Sequence, residues 1–178
     1  MSASRSLTSS SILVAALLST PAFAGGDSGY YLGAGVGESY VDVGGFLGVD
    51  GEDTGWKLIG GYTDGTTQLL GTAVELAYVD FGRPEDGGAK VDASAVAVFG
   101  LGGVNLGPIF LFSKFGFSRW EADLSAGPNS GRDDGFDWAA GGGASLRIAS
   151  FQVRGEYELF IADTGDLGLL SASLIYAF

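Results

Sequence analysis

The sequence predicts an all-β fold, an eight-stranded antiparallel up-and-down transmembrane β-barrel, behind a cleaved N-terminal signal peptide. Three observations predict it. Apolar residues alternate with Gly or polar residues through most of the chain, the prolines fall between the alternating segments, and the connections alternate between short and long. At 178 residues the chain suits one domain.

The N-terminus carries a positive residue, Arg5, an apolar run at 12–18 too short to span a bilayer, and Ala22-Phe23-Ala24 as an A-x-A cleavage site. The expected division is therefore 1–24 signal peptide and 25–178 barrel domain. The competing reading, an apolar helix docked in a core, would start without a cap and run straight into Gly25-Gly26.

Strand by strand, Tyr30, Leu32, Ala34 and Val36 are apolar while the intervening positions are mostly Gly, a period of two in a segment whose Gly content excludes helix. The same alternation runs through 56–62, 74–78, 151–159 and 170–178. Weaker alternation marks 90–103, 109–121 and 135–148, which brings the count to eight. Prolines 84, 108 and 128 fall in connections, where a missing backbone donor breaks no ladder. Short connections are expected near 63–70, 104–108 and 149–150, and longer acidic ones near 43–54, 83–90, 122–134 and 163–167.

Parity sorts the residues into two faces. One holds Leu32, Trp56, Leu58, Val74, Leu76, Tyr78, Val153, Tyr157, Leu174 and their like. The other holds Gly33, Gly35, Lys57, Gly61, Glu75, Gln152, Arg154, Glu156, Glu158, Ser171 and Ser173. Parity alone leaves open which face is inside, since a soluble barrel would bury the apolar set. The polar set, however, is rich in Gly and poor in the Lys, Glu and Thr of a wetted surface. A narrow lumen suits such residues. Aromatics near strand ends (Tyr30, Tyr62, Tyr157, Tyr176, Phe178) suit an interfacial girdle, so the apolar set is expected to face lipid. Trp56, Trp120 and Trp138 are expected on that outer surface or its rim.

Composition narrows the chemistry. The chain has no His and no Cys, which removes Ser-His-Asp and Cys-His nucleophiles, thiolate zinc sites and haem ligation in their usual forms, so no cofactor is expected. An excess of 21 acidic over 9 basic residues, a formal charge of -12, argues against nucleic acid. Gly33-Ala34-Gly35-Val36-Gly37 and Gly141-Gly142-Gly143 lack the spacing of phosphate-binding loops, and 49–55 lacks the ligand spacing of a calcium loop, which leaves the acidic connections as a solvated surface and no metal site.

The stretches YYLGAGVG (30–37), WKLIGGY (56–62), VELAYVDFG (74–82), FSKFGFSRWEAD (112–123), VRGEYE (153–158) and SASLIYAF (171–178), in that order and spacing, make residues 29–178 resemble the OmpA-like (outer-membrane protein A-like) β-barrel family of Gram-negative bacteria. The resemblance implies periplasmic turns, external loops and a monomer in the cell outer membrane, in contact with outer-membrane lipid and lipopolysaccharide. It also implies that Tyr176 and Phe178 in the last strand form an assembly signal read by the insertion machinery. Many relatives continue into a peptidoglycan-binding domain. This sequence ends at Phe178, so cell-wall tethering is not expected. Glu75 and Arg154 match one interior charge pair of relatives and Lys114 a further interior base, but the positions near Val98 and Ser145 lack a second pair, which puts a gate built on exchanging pairs in doubt.

Lys57, Glu75, Lys114, Arg154, Glu156 and Glu158 are accordingly expected to line the lumen as a charge network. Charges in a narrow interior must pair to offset desolvation. A structural plug is the favoured reading, and a weak small-ion, porin-like pore is the alternative. A carboxylate pair at Glu156 and Glu158 acting as in glycosidases is remote, because sugar cannot enter a filled lumen. A lipid-modifying barrel enzyme is equally remote without a His. The expected role is non-enzymatic: envelope structure or surface interaction, including adhesion.

Overall fold

The structure, a computed structural model, describes residues 28–42, 50–64, 69–82, 85–86, 89–126, 129–162 and 165–178. The expected signal peptide at 1–24 lies outside them, as do prolines 84 and 128.

Nine strands follow in order: β1 (Gly29–Asp42), β2 (Asp50–Asp64), β3 (Leu70–Asp80), β4 (Glu85–Asp86), β5 (Ala89–Leu106), β6 (Ile109–Ala126), β7 (Asn129–Ile148), β8 (Phe151–Ala162) and β9 (Gly165–Ala177). Eight of them close a barrel. Each pairs antiparallel with its chain neighbour, β3 pairs directly with β5, and β1 pairs with β9 in the register Gly33↔Ile175, Gly35↔Ser173. The two-residue β4 pairs with β5 just beyond β3, Asp80↔Ser94 being followed by Glu85↔Lys90, and so continues the line of β3 after a break. Closure leaves the barrel no open edge at membrane depth, so backbone donors and acceptors there are paired without water.

At one end the turns are tight. Leu106 pairs with Ile109 and Ile148 with Phe151, each across two residues. Gly107 (φ 65°) supplies the left-handed conformation at the first turn, where Pro108 also lies outside the ladder. At the second the same conformation falls on Ala149 (φ 56°), which costs about 1 kcal/mol relative to glycine.

Polarity is settled by exposure. Leu76, Tyr157 and Leu174 are 55%, 44% and 56% exposed on the outer face, whereas Glu75 and Arg154 are 0% and 4% exposed inside. The outer face is an apolar band, ringed at the tight-turn end by Tyr30 against Tyr62 (5.0 Å) and Phe151 against Tyr176 (5.2 Å), and at the other by Trp56 against Tyr78 (5.4 Å) and a cluster at Phe117 and Trp138 (4.1 Å). From Trp138 to Ile148 the strand rises about 33 Å along its own axis. At the tilt usual in such barrels this corresponds to about 25 Å across the membrane, the height of a lipid-facing band.

Two expectations are corrected. The acidic segments at 122–134 and 163–167 are ladder through most of their described residues, β6 and β7 staying paired through Ala126↔Asn129 and β8 and β9 through Ala162↔Gly165; of the segment at 43–54 the described part, 50–54, belongs to β2, and of that at 83–90 the described residues 85–86 and 89–90 are paired. Past the lipid boundary both faces of a strand can be wet, so pairing continues after the apolar alternation has stopped. Trp120 is the second correction. It is buried in the barrel, where its indole N–H donates to the Asp137 carboxylate at 2.8 Å and its ring covers the space a side chain at Gly135 would need. Trp56 and Trp138 do face outward.

A candidate functional site in the lumen

The inward faces of four strands carry the charges to one level. Lys57 comes from β2, Glu75 from β3, Lys114 from β6, and Arg154, Glu156 and Glu158 from β8, where a spacing of two puts all three on one side of the strand. All six are buried.

They form one network of three acids and three bases. Lys57 Nζ lies 2.7 Å from Glu156 Oε1 and 2.5 Å from Glu158 Oε2. Lys114 Nζ sits among Glu156 Oε2 (2.6 Å), Glu158 Oε1 (2.7 Å) and Glu75 Oε1 (3.2 Å). Arg154 donates to Glu75 Oε2 at 2.6 Å and lies 3.8 Å from Glu156 Oε1. The charges cancel within the layer, which is the condition under which burial of ions is tolerated. Glu156 is held by charge more than by alignment, since neither of its oxygens has a hydrogen bond of good geometry.

Glycines make these reaches possible. Lys57 must pass β1 and β9 to meet β8, and the inward positions it passes are Gly35, Gly37, Ser171 and Ser173. Lys114 must pass β7, where its register partner is Gly141. A Cβ at Gly141 would lie 3.2 Å from Lys114 Cε, and one at Gly143 would lie 2.7 Å from Glu156 Cβ. The glycine runs thus form corridors for lysine side chains and hold no phosphate.

Aromatic rings seal the layer on both sides. Lys114 Nζ is 4.5 Å from the centroid of Phe99, and Arg154 lies 5.0 Å from that of Phe112 and 5.6 Å from that of Tyr31, whose hydroxyl donates to Glu75 at 2.9 Å. Desolvated cation–ring contacts of this kind stabilise by up to about 2 kcal/mol. Toward the acidic end, Phe81 and Phe99 pack edge-on against Phe160 (5.2 and 6.3 Å) beside Leu169 and Val79. Toward the tight turns, Ile59, Leu101, Phe112 and Ile175 close the other side.

The lumen therefore alternates apolar, ionic and apolar along its axis. Tyr31, Phe99 and Phe112 belong to this site although only the six charged residues are expected from sequence. Tyr31 shares its parity with Gly33 and Gly35, and Phe112 with Lys114, which is the signal that places them inside. Val98 faces lipid and Ser145 is buried inward without a charge partner of its own, so no second interior pair stands at either position. Glu156 and Glu158 are bridged by both lysines and covered by rings, an arrangement with no room for a sugar. Among the described residues no cluster of ligating side chains is able to hold a metal ion.

Tyr176 and Phe178 end the chain on the girdle at the tight-turn end, ring against ring at 5.2 Å, with the Phe178 N–H bonded to the Tyr30 carbonyl.

This architecture has close counterparts among solved structures. Ail, the attachment invasion locus protein of Yersinia pestis, superposes with a TM-score of 0.64 at 19% identity, covering 84% of this chain and 99% of Ail, and Ail is also known in complex with the heparin analogue sucrose octasulfate. Neisserial surface protein A superposes at 0.67 with 14% identity, covering 85% and 99%. The N-terminal barrel domain of Pseudomonas aeruginosa OprF superposes at 0.58 with 11% identity, covering 85% and 98%. No curated protein matches by sequence. The family model described as outer membrane protein beta-barrel domain matches residues 10–178, and the chain belongs to that family of Gram-negative outer-membrane barrels.

Proposed function

We propose that this barrel is a non-enzymatic surface protein whose acidic outer end interacts with the surroundings while its lumen stays shut. The observation that carries the reading is the neutral charge layer locked between two apolar layers. An ion entering it would have to displace a carboxylate or ammonium group already paired at 2.5–3.2 Å and then cross phenylalanines packed edge to face. Glu156 and Glu158, the carboxylates considered for catalysis, are both engaged in that layer. The outer end, by contrast, carries most of the acidic residues and few bases. Such a surface suits neutral or cationic surroundings and repels sulfated polyanions of the kind found with Ail.

The barrel is further inferred to be a monomer of residues 25–178, delivered through its last strand, where Tyr176 and Phe178 present an aromatic end to the assembly machinery. Lipopolysaccharide and other outer-membrane lipid are its immediate neighbours.

Two measurements on one pair of proteins test the reading: the mature barrel, and a variant in which residues 122–133 are replaced by a Gly-Ser linker. Neither should show single-channel conductance in planar bilayers. Gram-negative cells displaying the mature barrel should gain adhesion or detergent resistance that cells displaying the variant lack. Steady conductance by the mature barrel establishes the pore reading instead, and identical behaviour of the two cell lines removes the surface role.

A further inference from the structure

Three strands outgrow the barrel at its acidic end. β5, β6 and β7 stay paired beyond the level of Trp138, through Ala89↔Ala126 and Ala126↔Asn129, whereas β8 has already turned into β9 at Ala162↔Gly165. β7 meets β8 only from Ala139↔Phe160 to Ile148↔Phe151. Residues 129–138 of β7 therefore have β6 on one side and, among the described residues, no strand on the other. The opposite margin of the same sheet is covered by the protein's own chain, because β4 takes up β5 where β3 leaves it, at Glu85↔Lys90 and Asp86↔Ala89.

A strand bonded on one side presents alternate N–H and C=O groups on the other. Within hydrocarbon such groups have to be paired by the barrel itself, but residues 129–137 lie beyond the Trp138 girdle, where an extended segment of another protein is able to pair with them. The strand runs there without a proline, so no donor is missing from the margin. Its surroundings are acidic. From Glu121 to Trp138 the sequence holds Glu121, Asp123, Asp133, Asp134 and Asp137 against Arg132. The Asp134 side chain is 58% exposed, and Phe136, two residues on and on the same face, is 70% exposed. On the β6 side Phe136 is opposite Arg119, so a base already stands across from this ring.

We infer that residues 129–138 of β7 are a docking edge for an extended, basic segment of a partner protein, which joins the sheet as a further strand. Backbone hydrogen bonds along β7 hold the segment, and its Lys or Arg side chains stand beside Asp134 and Phe136 on the side away from β6. The carboxylates choose the partner. They repel acidic segments, and they keep the same margin of a second copy of this chain from pairing with it, since like charges facing each other across a ladder are unfavourable. This inference rests on the reading of the barrel as a surface protein, and it names the element and the chemistry through which a partner is held.

The test uses the mature barrel in phosphatidylcholine nanodiscs and capped, fluorescent peptides of about eight residues, the length of an ordinary strand. The parent peptide alternates Lys and Val, a second alternates Glu and Val, and a third is the Lys–Val peptide with every backbone amide N-methylated, which keeps the charge and removes the donors. Binding is read by anisotropy and located by amide-resolved hydrogen exchange. The parent should bind and slow exchange at alternate amides of 129–138. The Glu–Val and N-methylated peptides should bind at least about tenfold more weakly, the loss expected when one or two net hydrogen bonds go unmade. Asp134→Asn should weaken the parent about threefold, as an exposed charge contact does, while keeping the unboiled gel mobility of the folded barrel. Equal binding of the N-methylated peptide overturns the proposal, because charge alone then suffices. Failure of the parent to bind, or protection confined to residues outside 129–138, overturns it as well. If the parent docks on β7 but cells displaying the mature barrel and the 122–133 linker variant behave alike, the surface role falls and the docking edge stands. Different cells with no docking on β7 give the reverse.

Discussion

Glu75 is the side chain on which the lumen depends most. It receives the Tyr31 hydroxyl and Arg154 on one oxygen and faces Lys114 with the other, and it is Arg154's only ion partner within 3 Å. Glu75→Ala should therefore strand a buried guanidinium and lower unfolding stability by about 3–5 kcal/mol, measured by urea titration of the refolded barrel. Glu75→Leu combined with Arg154→Met should recover most of that loss, because an apolar pair of similar volume avoids the desolvation of both ions. If the double variant is as unstable as the single one, the cost lies in packing against Tyr31 and Phe112 and not in charge.

Glycine has opposite meanings on adjacent strands. Gly141 on β7 faces inward, and a Cβ there would meet the Tyr157 carbonyl at 2.6 Å as well as Lys114. Gly155 on β8 faces lipid with nothing within 4 Å of an added Cβ. Gly141→Ala should destabilise the barrel by about 3 kcal/mol by forcing Lys114 off its carboxylates, whereas Gly155→Ala should leave stability unchanged or raise it by up to about 1 kcal/mol through the unfolded chain. Both are read from the same urea midpoints.

Legibility in the sequence also differs by strand. On β1, β2, β8 and β9 the two faces differ in chemistry, Gly and charge against Leu, Tyr and Val, so parity is plain. On β5 the inner face is itself apolar, with Ala93, Ala95, Ala97, Phe99 and Leu101, and on β6 the large apolar rings Phe112 and Trp120 share it with Lys114 and Ser118. With large apolar residues on both faces the alternation fades, which is why Trp120 reads as a membrane-facing residue. The six charged residues are legible as inward-pointing. Their pairing is not, because it depends on which intervening strand offers glycine at the crossing level, a property of register and not of any one segment.

At the scale of the whole molecule, an oily exterior around an ionic interior makes a specific physical prediction. The mature protein folded in detergent should run at different positions on SDS gels before and after boiling, because a closed ladder without edges resists the detergent until heated. A single heat-insensitive band would be incompatible with a closed membrane barrel. The same architecture accounts for a fold shared with solved structures at only 11–19% identity. Lipid asks only for apolar area outside, and a narrow cylinder asks only that its filling be neutral, so many sequences satisfy both.

Lys57 meets Glu156 and Glu158 across the line where the first and last strands join. Until β9 has been zipped to β1, the Lys57 ammonium on one margin of the sheet lacks the two carboxylates it meets in the finished barrel, and an unsealed sheet would have to carry it bare into hydrocarbon. The salt layer thus weighs against a half-built cylinder and in favour of the finished one, because closure is what brings Lys57 to its carboxylates.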